Sequence, residues 1–271
     1  MKKARVHPKI DKGTIIGLVL SLAGIVGGLL LEKGSIHDIA QYTAALIVLG
    51  GTAGAMLVTS PLPMIRAAFA QLRCVFWENT YHASAHIELL IEFATKARKS
   101  GILSLETEAD RLSQPFLRKA LNLVIDGTDL NELVSTMELE IDLAEYRAEQ
   151  AAKVFENGGG YAPTIGIIGA VLGLIQVMKN LANLEEVGHG IAVAFVATVY
   201  GVALANLLLL PIAGKIRNHS ATERQERELL LLGVIGILEG WNPKILRNKL
   251  NAYLADQKSV PLRAPAQKLA A

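Results

Sequence analysis

Charged residues are scarce in this 271-residue chain, at 19% against about 25% in an ordinary soluble domain. They are missing altogether from four long stretches, residues 13–31, 39–65, 158–178 and 187–214. Each stretch can supply the ~20 residues that cross a hydrocarbon core about 30 Å thick. Each is also rich in glycine, which membrane helices tolerate. A soluble fold with four long buried helices is the alternative these runs argue against. Cysteine is nearly absent: Cys74 is alone, which rules out an internal disulfide framework and reads as a small buried hydrophobe. The first apolar run exceeds the ~7–15 residues of a signal-peptide core and leads to Leu31-Glu32-Lys33, with no small-residue cleavage site, so it reads as a retained span.

Catalytic and metal-binding groupings are also lacking. No acid pair, nucleophile–base set or ligand cluster falls in or near the apolar runs, so neither an enzyme nor a metal centre is expected. His82 and His86 stand four apart but lack a third ligand and read as surface histidines. The most informative absence is that no Asp, Glu, Lys or Arg interrupts the four runs. An ion carrier needs a titratable or coordinating group at membrane depth, so this chain alone is not expected to pump ions. His189, at the outer end of the fourth run, reads as interfacial.

The basic residues that are present set the topology. Lys2, Lys3, Arg5, Lys9 and Lys12 precede span 1, and Lys215, Arg217, Arg224 and Arg227 follow span 4. The loop 32–38 holds only Lys33, and the loop after span 3 carries Glu185 and Glu186. The positive-inside rule puts both termini and the central segment in the cytoplasm. The expected fold is all-α and polytopic, with four transmembrane helices and a helical cytoplasmic insertion between spans 2 and 3. Its segments are 1–61 (N-terminal segment and spans 1–2), 62–157 (cytoplasmic helical domain), 158–214 (spans 3–4) and 215–271 (cytoplasmic C-terminal helix and tail).

Within the insertion, Pro61 and Pro63 end or break span 2. The absence of Pro and Gly from Met64 to Lys99 predicts continuous helix. Lys99-Ser100-Gly101 reads as its stop. Ser104 reads as the next N-cap, with Glu106 and Glu108 in the first turn. Asp126-Gly127-Thr128-Asp129 is a turn, and Asp129 with Glu132 resembles a capping box. Beyond it, Leu130, Leu133, Val134, Met137, Ile141, Ala144, Ala148 and Phe155 make one apolar helix face. Glu138, Asp142, Glu145 and Glu149 make an acidic stripe that reads as a solvated face.

The spans carry small-xxx-small pairs: Gly24/Gly28, Gly50/Gly54 and Gly169/Gly173. In spans 1 and 2 these are expected to serve packing within the chain. At the head of span 3, Gly158-Gly159-Gly160 followed by Pro163 is expected to break the incoming helix and restart it at the membrane, as either a hinge or a rigid corner. Spans 3 and 4 offer neutral polar groups, Thr164, Thr198, Tyr200 and Asn206. Ala194, Ala197, Gly201 and Ala205 keep the wall around Thr198 slim. That wall suits either a bundle around another chain's helix and a water path, or close packing in a four-helix bundle.

Three segments then resemble one family. Residues 159–175 (GGYAPTIGIIGAVLGLI) and 190–206 (GIAVAFVATVYGVALAN), the latter leading to Pro211, resemble the third and fourth spans of flagellar stator A subunits, the MotA/PomA family. Residues 97–106 (ARKSGILSLE) resemble that family's cytoplasmic charged motif. Order and spacing agree over residues 13–255; the tail from Asp256 lies outside the resemblance and reads as disordered.

The resemblance implies a motility function in the bacterial inner membrane: a stator complex that converts ion flow into torque on the flagellar rotor. It implies Arg98 and Glu106 as contacts to the rotor's switch protein. It implies Pro163 and Pro211 as the prolines coupling ion passage to cytoplasmic movement, and Thr198 as pore-facing. Thr164 and Ala170 join Thr198 on the expected ion path. The implied partners are a B-type subunit, with an intramembrane Asp and a peptidoglycan-binding domain, and further copies of this chain, five A subunits around two B subunits. Sodium-using relatives place a hydroxyl where this chain has Ala170, which favours protons; no other cofactor is expected. The competing assignment is an ExbB/TolQ-type energiser subunit driving an envelope partner. Four spans and the Arg98…Glu106 pattern argue against it.

Overall fold

The computed structural model describes residues 9–78 and 83–259. The architecture is helical, apart from a two-residue antiparallel bridge that pairs Lys9 with Glu78 and Ile10 with Trp77. Among the described residues, four helices are long and apolar enough to span a membrane: Lys12–Leu31, Tyr42–Thr59, Leu130–Lys179 and Leu184–Leu238. The last two extend far beyond membrane thickness, so spans 3 and 4 are parts of longer helices. Asp11 caps span 1, its carboxylate accepting from the Gly13 and Thr14 amides. Ser60 and Pro61 take extended backbone and end span 2 at Thr59, where the prolines place the break.

The chain folds as two compact units. The first is Met1–Thr80 with Tyr146–Ser220, the second Tyr81–Glu145 with Ala221–Ala271. Compactness therefore cuts the chain elsewhere than membrane order does: both edges of the insertion belong with the spans, and the C-terminal helix belongs with the centre of the insertion.

In the first unit, span 2 packs on span 4 through Ala44, Val48, Val196 and Ala197. Spans 3 and 4 touch through glycine. A Cβ on Gly166 would lie 2.9 Å from the Ala197 carbonyl oxygen, and one on Gly173 2.7 Å from that of Gly190. Below them, Phe155, Val154 and Ala151 meet Met56, Ala68, Val75, Ala213 and Ile216. The second unit is a helical bundle around Leu90, Phe93, Leu117, Leu121, Leu133, Met137, Leu229, Leu230 and Leu246. Asp129 begins the helix Leu130–Lys179 as expected, accepting from the Asn131 and Glu132 amides at 2.8 and 3.0 Å. Gly127 supplies the preceding turn at φ 84°.

Several local expectations are corrected. The helix predicted from Met64 to Lys99 is broken. Leu62–Ala70 and Leu72–Phe76 are helical, Trp77–Glu78 are extended, and helix resumes at Ala83–Ser100. Pairing with Lys9–Ile10 overrides local helix preference there. Ser104 is not an N-cap. It lies inside a 3₁₀ turn, Ile102–Leu105, and its hydroxyl donates to the Gly101 carbonyl at 2.6 Å. Gly101 itself, at φ 81°, is the stop the sequence indicated.

The glycine triplet does not break the chain, since Leu130–Lys179 is one helix with Pro163 inside it. The triplet answers a packing need instead. A Cβ on Gly158 would meet Met56 Sδ at 2.6 Å, and one on Gly159 would meet Leu210 Cδ2 at 2.6 Å. Neighbouring spans press on the helix there, and a close approach needs small residues. Conversely, Gly24, Gly28, Gly50 and Gly54 face open space within the chain, so they do not serve the intrachain packing expected of them.

Of the acidic stripe, Asp142, Glu145 and Glu149 are paired, as described below, and Glu138 is exposed as expected of a solvated face. His86 is half-buried, 3.4 Å from Glu226; His82 and the Cys74 side chain lie outside the described residues. The C-terminal helix Pro243–Ser259 includes Asp256–Ser259, so the first part of the tail is ordered, and residues 260–271 lie outside the described residues.

Candidate functional site

The span 3–span 4 seam is built around two prolines. Pro163 has no amide hydrogen, so the Gly159 carbonyl four residues earlier loses its helical donor. The next hydroxyl compensates locally: Thr164 Oγ1 donates to the Tyr161 carbonyl at 2.8 Å. The Tyr161 hydroxyl lies 2.9 Å from Thr59 Oγ1, and Thr59 Oγ1 donates to Ala55 O. Tyr161 therefore donates, tying span 3 to the end of span 2. Pro211 is exposed and follows a π-helical stretch, Leu204–Leu209, in an otherwise continuous helix. The wider turn takes up the lost donor without stopping the helix. The two proline regions meet, because Leu209 and Leu210, just before Pro211, lie over Gly158 and Gly159, one turn before Pro163.

Thr198 is half-buried and donates to the Ala194 carbonyl at 3.2 Å. Its backbone lies against Gly166: a Cβ there would be 3.4 Å from Thr198 Cα. Ala170, one turn beyond Gly166, is half-buried on the same side of span 3. Thr164 is exposed and, two residues from Gly166, stands on the opposite side of the helix. The structure thus brings Ala170 to the Thr198 side of the seam and keeps Thr164 away from it. Asn206 is exposed and donates to the Val202 carbonyl at 2.9 Å. The Tyr200 hydroxyl donates to the Ile39 carbonyl.

Arg98 and Glu106 stand on either side of the Gly101 turn, and both are exposed. Arg98 lies in the last turn of Ala83–Ser100 and Glu106 in the first turn of Glu106–Ala109. Lys96 and Glu108 close the turn with an ion pair at 2.7 Å, while among the described residues Arg98 and Glu106 make none.

Three charged groupings were not singled out from the sequence. Arg217 holds Glu149 in a two-point contact, Nε to Oε2 at 2.9 Å and Nη2 to Oε1 at 2.8 Å, and also bonds Glu156. Arg224 holds Asp142 at 3.0 Å and also Glu145. Lys215 pairs with Asp11, which is only 7% exposed. Hydrogen bonding to Lys215 and then to Thr14 holds the Asp11 carboxyl down at about 2. The sequence signal for the first two was the acidic periodicity. Their partners lie some 60–80 residues away and only folding reveals them.

These features define the class: a polytopic membrane protein whose third and fourth spans continue as long helices outside the apolar runs. The sequence model of the MotA/TolQ/ExbB proton channel family matches residues 108–229, and that of the motility protein A N-terminal region matches 15–101. Motility protein A of Helicobacter pylori (strain 26695) is 35% identical over 246 residues, covering 91% of this chain and 96% of that protein. Among solved structures, Campylobacter jejuni MotAB superposes with a TM-score of 0.86 at 30% identity, covering 94% of this chain and 98% of that one. The flagellar MotAB stator complex of Bacillus subtilis gives 0.85 at 33%, covering 92% and 98%. The chain belongs to the motility protein A (MotA/PomA) family, and its role is that of a stator subunit of the flagellar motor. The match to the motility-specific N-terminal model separates it from an ExbB/TolQ-type energiser.

Proposed function

We propose that this chain assembles with a one-span B-type subunit into a proton-driven stator of the bacterial inner membrane, with both termini cytoplasmic, that turns the flagellar rotor. The observation that carries the reading is the absence of any Asp, Glu, Lys or Arg from the four apolar runs, in a chain similar along nearly its whole length to one from a MotAB complex. An ion needs a titratable or coordinating group at membrane depth; here the B-type helix supplies it in trans, as an Asp. Five copies of this chain surround two B subunits, each copy presenting the Thr198–Ala170 side of its seam. Ala170 brings a methyl group where a bare sodium ion wants oxygen, which favours protons.

Torque follows from the continuity of the helices. Movement where Leu209 and Leu210, before Pro211, meet Gly158 and Gly159, before Pro163, is carried into the cytoplasm by the extensions of spans 3 and 4. Arg217 ties those extensions through Glu149 and Glu156, so they move together. Arg98 and Glu106 are left free for opposite charges on the rotor's switch protein.

The test is a deletion of the gene combined with affinity purification of the full chain. The expected result is intact but paralysed flagella, and co-purification of a one-span protein bearing an intramembrane Asp and a peptidoglycan-binding domain. Normal swimming together with loss of an envelope transport process would instead support an energiser of the ExbB/TolQ kind.

A further inference from the structure

The segment after span 2 is held at both ends at the edge of the apolar runs. Span 2 stops at Thr59, and the extended Ser60 (φ −124°, ψ 134°) and Pro61 (φ −57°, ψ 143°) turn the chain into Leu62–Ala70. The far end is tied to the start of span 1. The Asp11 amide donates to the Phe76 carbonyl at 3.0 Å, and Ile10 pairs with Trp77. Asp11 immediately precedes the first turn of span 1. Both ends of the segment are therefore tied where an apolar span ends, the level at which a spanning helix leaves the hydrocarbon core.

Its two faces differ in kind. Met64, Ile65, Ala68, Leu72 and Val75 pack inward on the 148–155 stretch and on Ala213 and Ile216. Leu62, Arg66, Phe69, Arg73 and Phe76 are exposed and recur at helical spacing as one stripe. The exposed Trp77 extends the stripe. Apolar and aromatic groups alternate on it with two arginines, and among the described residues neither Arg66 nor Arg73 makes an ion pair or hydrogen bond. Aromatic rings at headgroup level, with cations between them, match the chemistry of a surface carrying anionic lipid.

We propose that Leu62–Trp77 is a binding surface for anionic phospholipid in the leaflet it lies on. Arg66 and Arg73 take the headgroups, and Leu62, Phe69, Phe76 and Trp77 sit at the headgroup–acyl boundary. Two features specify lipid as the occupant. Among the described residues no carboxylate pairs with either arginine, and span 2, which leads into the segment, itself exposes Leu46, Leu49, Leu57 and Val58. The assignment depends on the membrane spans and not on the stator reading, so it can fail while that reading stands.

The test uses the full chain in nanodiscs containing brominated phosphatidylglycerol or brominated phosphatidylcholine at equal mole fraction. The chain has two tryptophans, Trp77 and Trp241, so the part of the fluorescence quenching lost in Trp77→Phe reports Trp77. Brominated phosphatidylglycerol should quench Trp77 more strongly than phosphatidylcholine. Its local enrichment should be about five-fold per arginine at low salt, falling as salt is raised. Arg66→Gln/Arg73→Gln should abolish the preference, and Arg66→Lys/Arg73→Lys should restore most of it. Equal quenching by the two lipids, or a preference unchanged in the Gln pair, overturns the proposal. Absence of quenching by either lipid would mean that protein covers the stripe, and overturns it as well.

Discussion

Two glycine-to-alanine substitutions, one on the span 3–span 4 seam and one on the exposed side of span 3, should behave in opposite ways. A Cβ on Gly201 would lie 2.5 Å from the Ala162 carbonyl oxygen and 3.1 Å from Gly166 Cα. These are backbone atoms and cannot swing aside, so restoring ordinary contact at about 3.5 Å requires spans 3 and 4 to separate by close to an ångström. Overpacking of this kind costs about 1–3 kcal/mol, offset by about 1 kcal/mol from the better helix propensity of alanine. Gly201→Ala should therefore lose up to about 2 kcal/mol net. Gly160→Ala, in the same unit, meets nothing within 4 Å and should be neutral or gain up to about 1 kcal/mol. Thermal unfolding of the purified chain in detergent, followed by the loss of the monodisperse gel-filtration peak, measures the first difference. Swimming through soft agar measures the second: Gly201→Ala should swim poorly, because Thr198 and Ala170 are displaced, and Gly160→Ala normally. If Gly160→Ala abolished swimming without loss of stability, the triplet would be a hinge after all. If both variants were equally stable, the packing argument would be wrong.

Pro163→Ala returns a donor to the Gly159 carbonyl, and Pro211→Leu does the same for the turn above it; each should impair rotation while membrane insertion and partner binding persist, and loss of partner binding in both would mean that the prolines are purely structural. Cysteine at Thr198 should cross-link to the partner's membrane helix; cross-linking confined to span 1 positions would reverse the proposed ring. Asp11→Asn keeps a capping oxygen but loses the charge facing Lys215. The Asp11 carboxyl is depressed from an ordinary 3.8 to about 2, so its stabilisation is full above pH 4 and is lost as pH falls through about 2; the gap in unfolding midpoint between wild type and Asp11→Asn should close across that window, and a constant gap would contradict the ion pair. Exposed charge pairs contribute about 0–1 kcal/mol, so neutralising Arg98 or Glu106 should weaken motility modestly, and Arg98→Glu should do more harm. Failure of every acidic-to-basic reversal on the rotor protein to rescue Arg98→Glu, together with poor expression, would reduce Arg98 to a helix-end charge.

The sequence by itself determined the four spans, because uncharged runs of membrane length have few other uses and lipid penalises every exposed polar backbone group. It also determined the turns at Gly101 and Gly127 and the cap at Asp129, since these depend on residues within a few positions of one another. Thr198 stood out in the sequence for its setting among small residues and Ala170 only through the family resemblance; that the two lie on one side of the seam came from the folded structure. Only the tertiary structure decided what lay between distant positions. Gly158 and Gly159 read as helix breakers in isolation, but Met56 and Leu210 press against them, and the packed helix runs through. The Met64–Lys99 stretch had no breaker of its own; it was interrupted by a bridge to residues far earlier in the chain. The acidic stripe met its arginines, Arg217 and Arg224, across some 60–80 residues. In each case local preference is worth about 1 kcal/mol or less per residue, and contacts made by folding are numerous enough to override it.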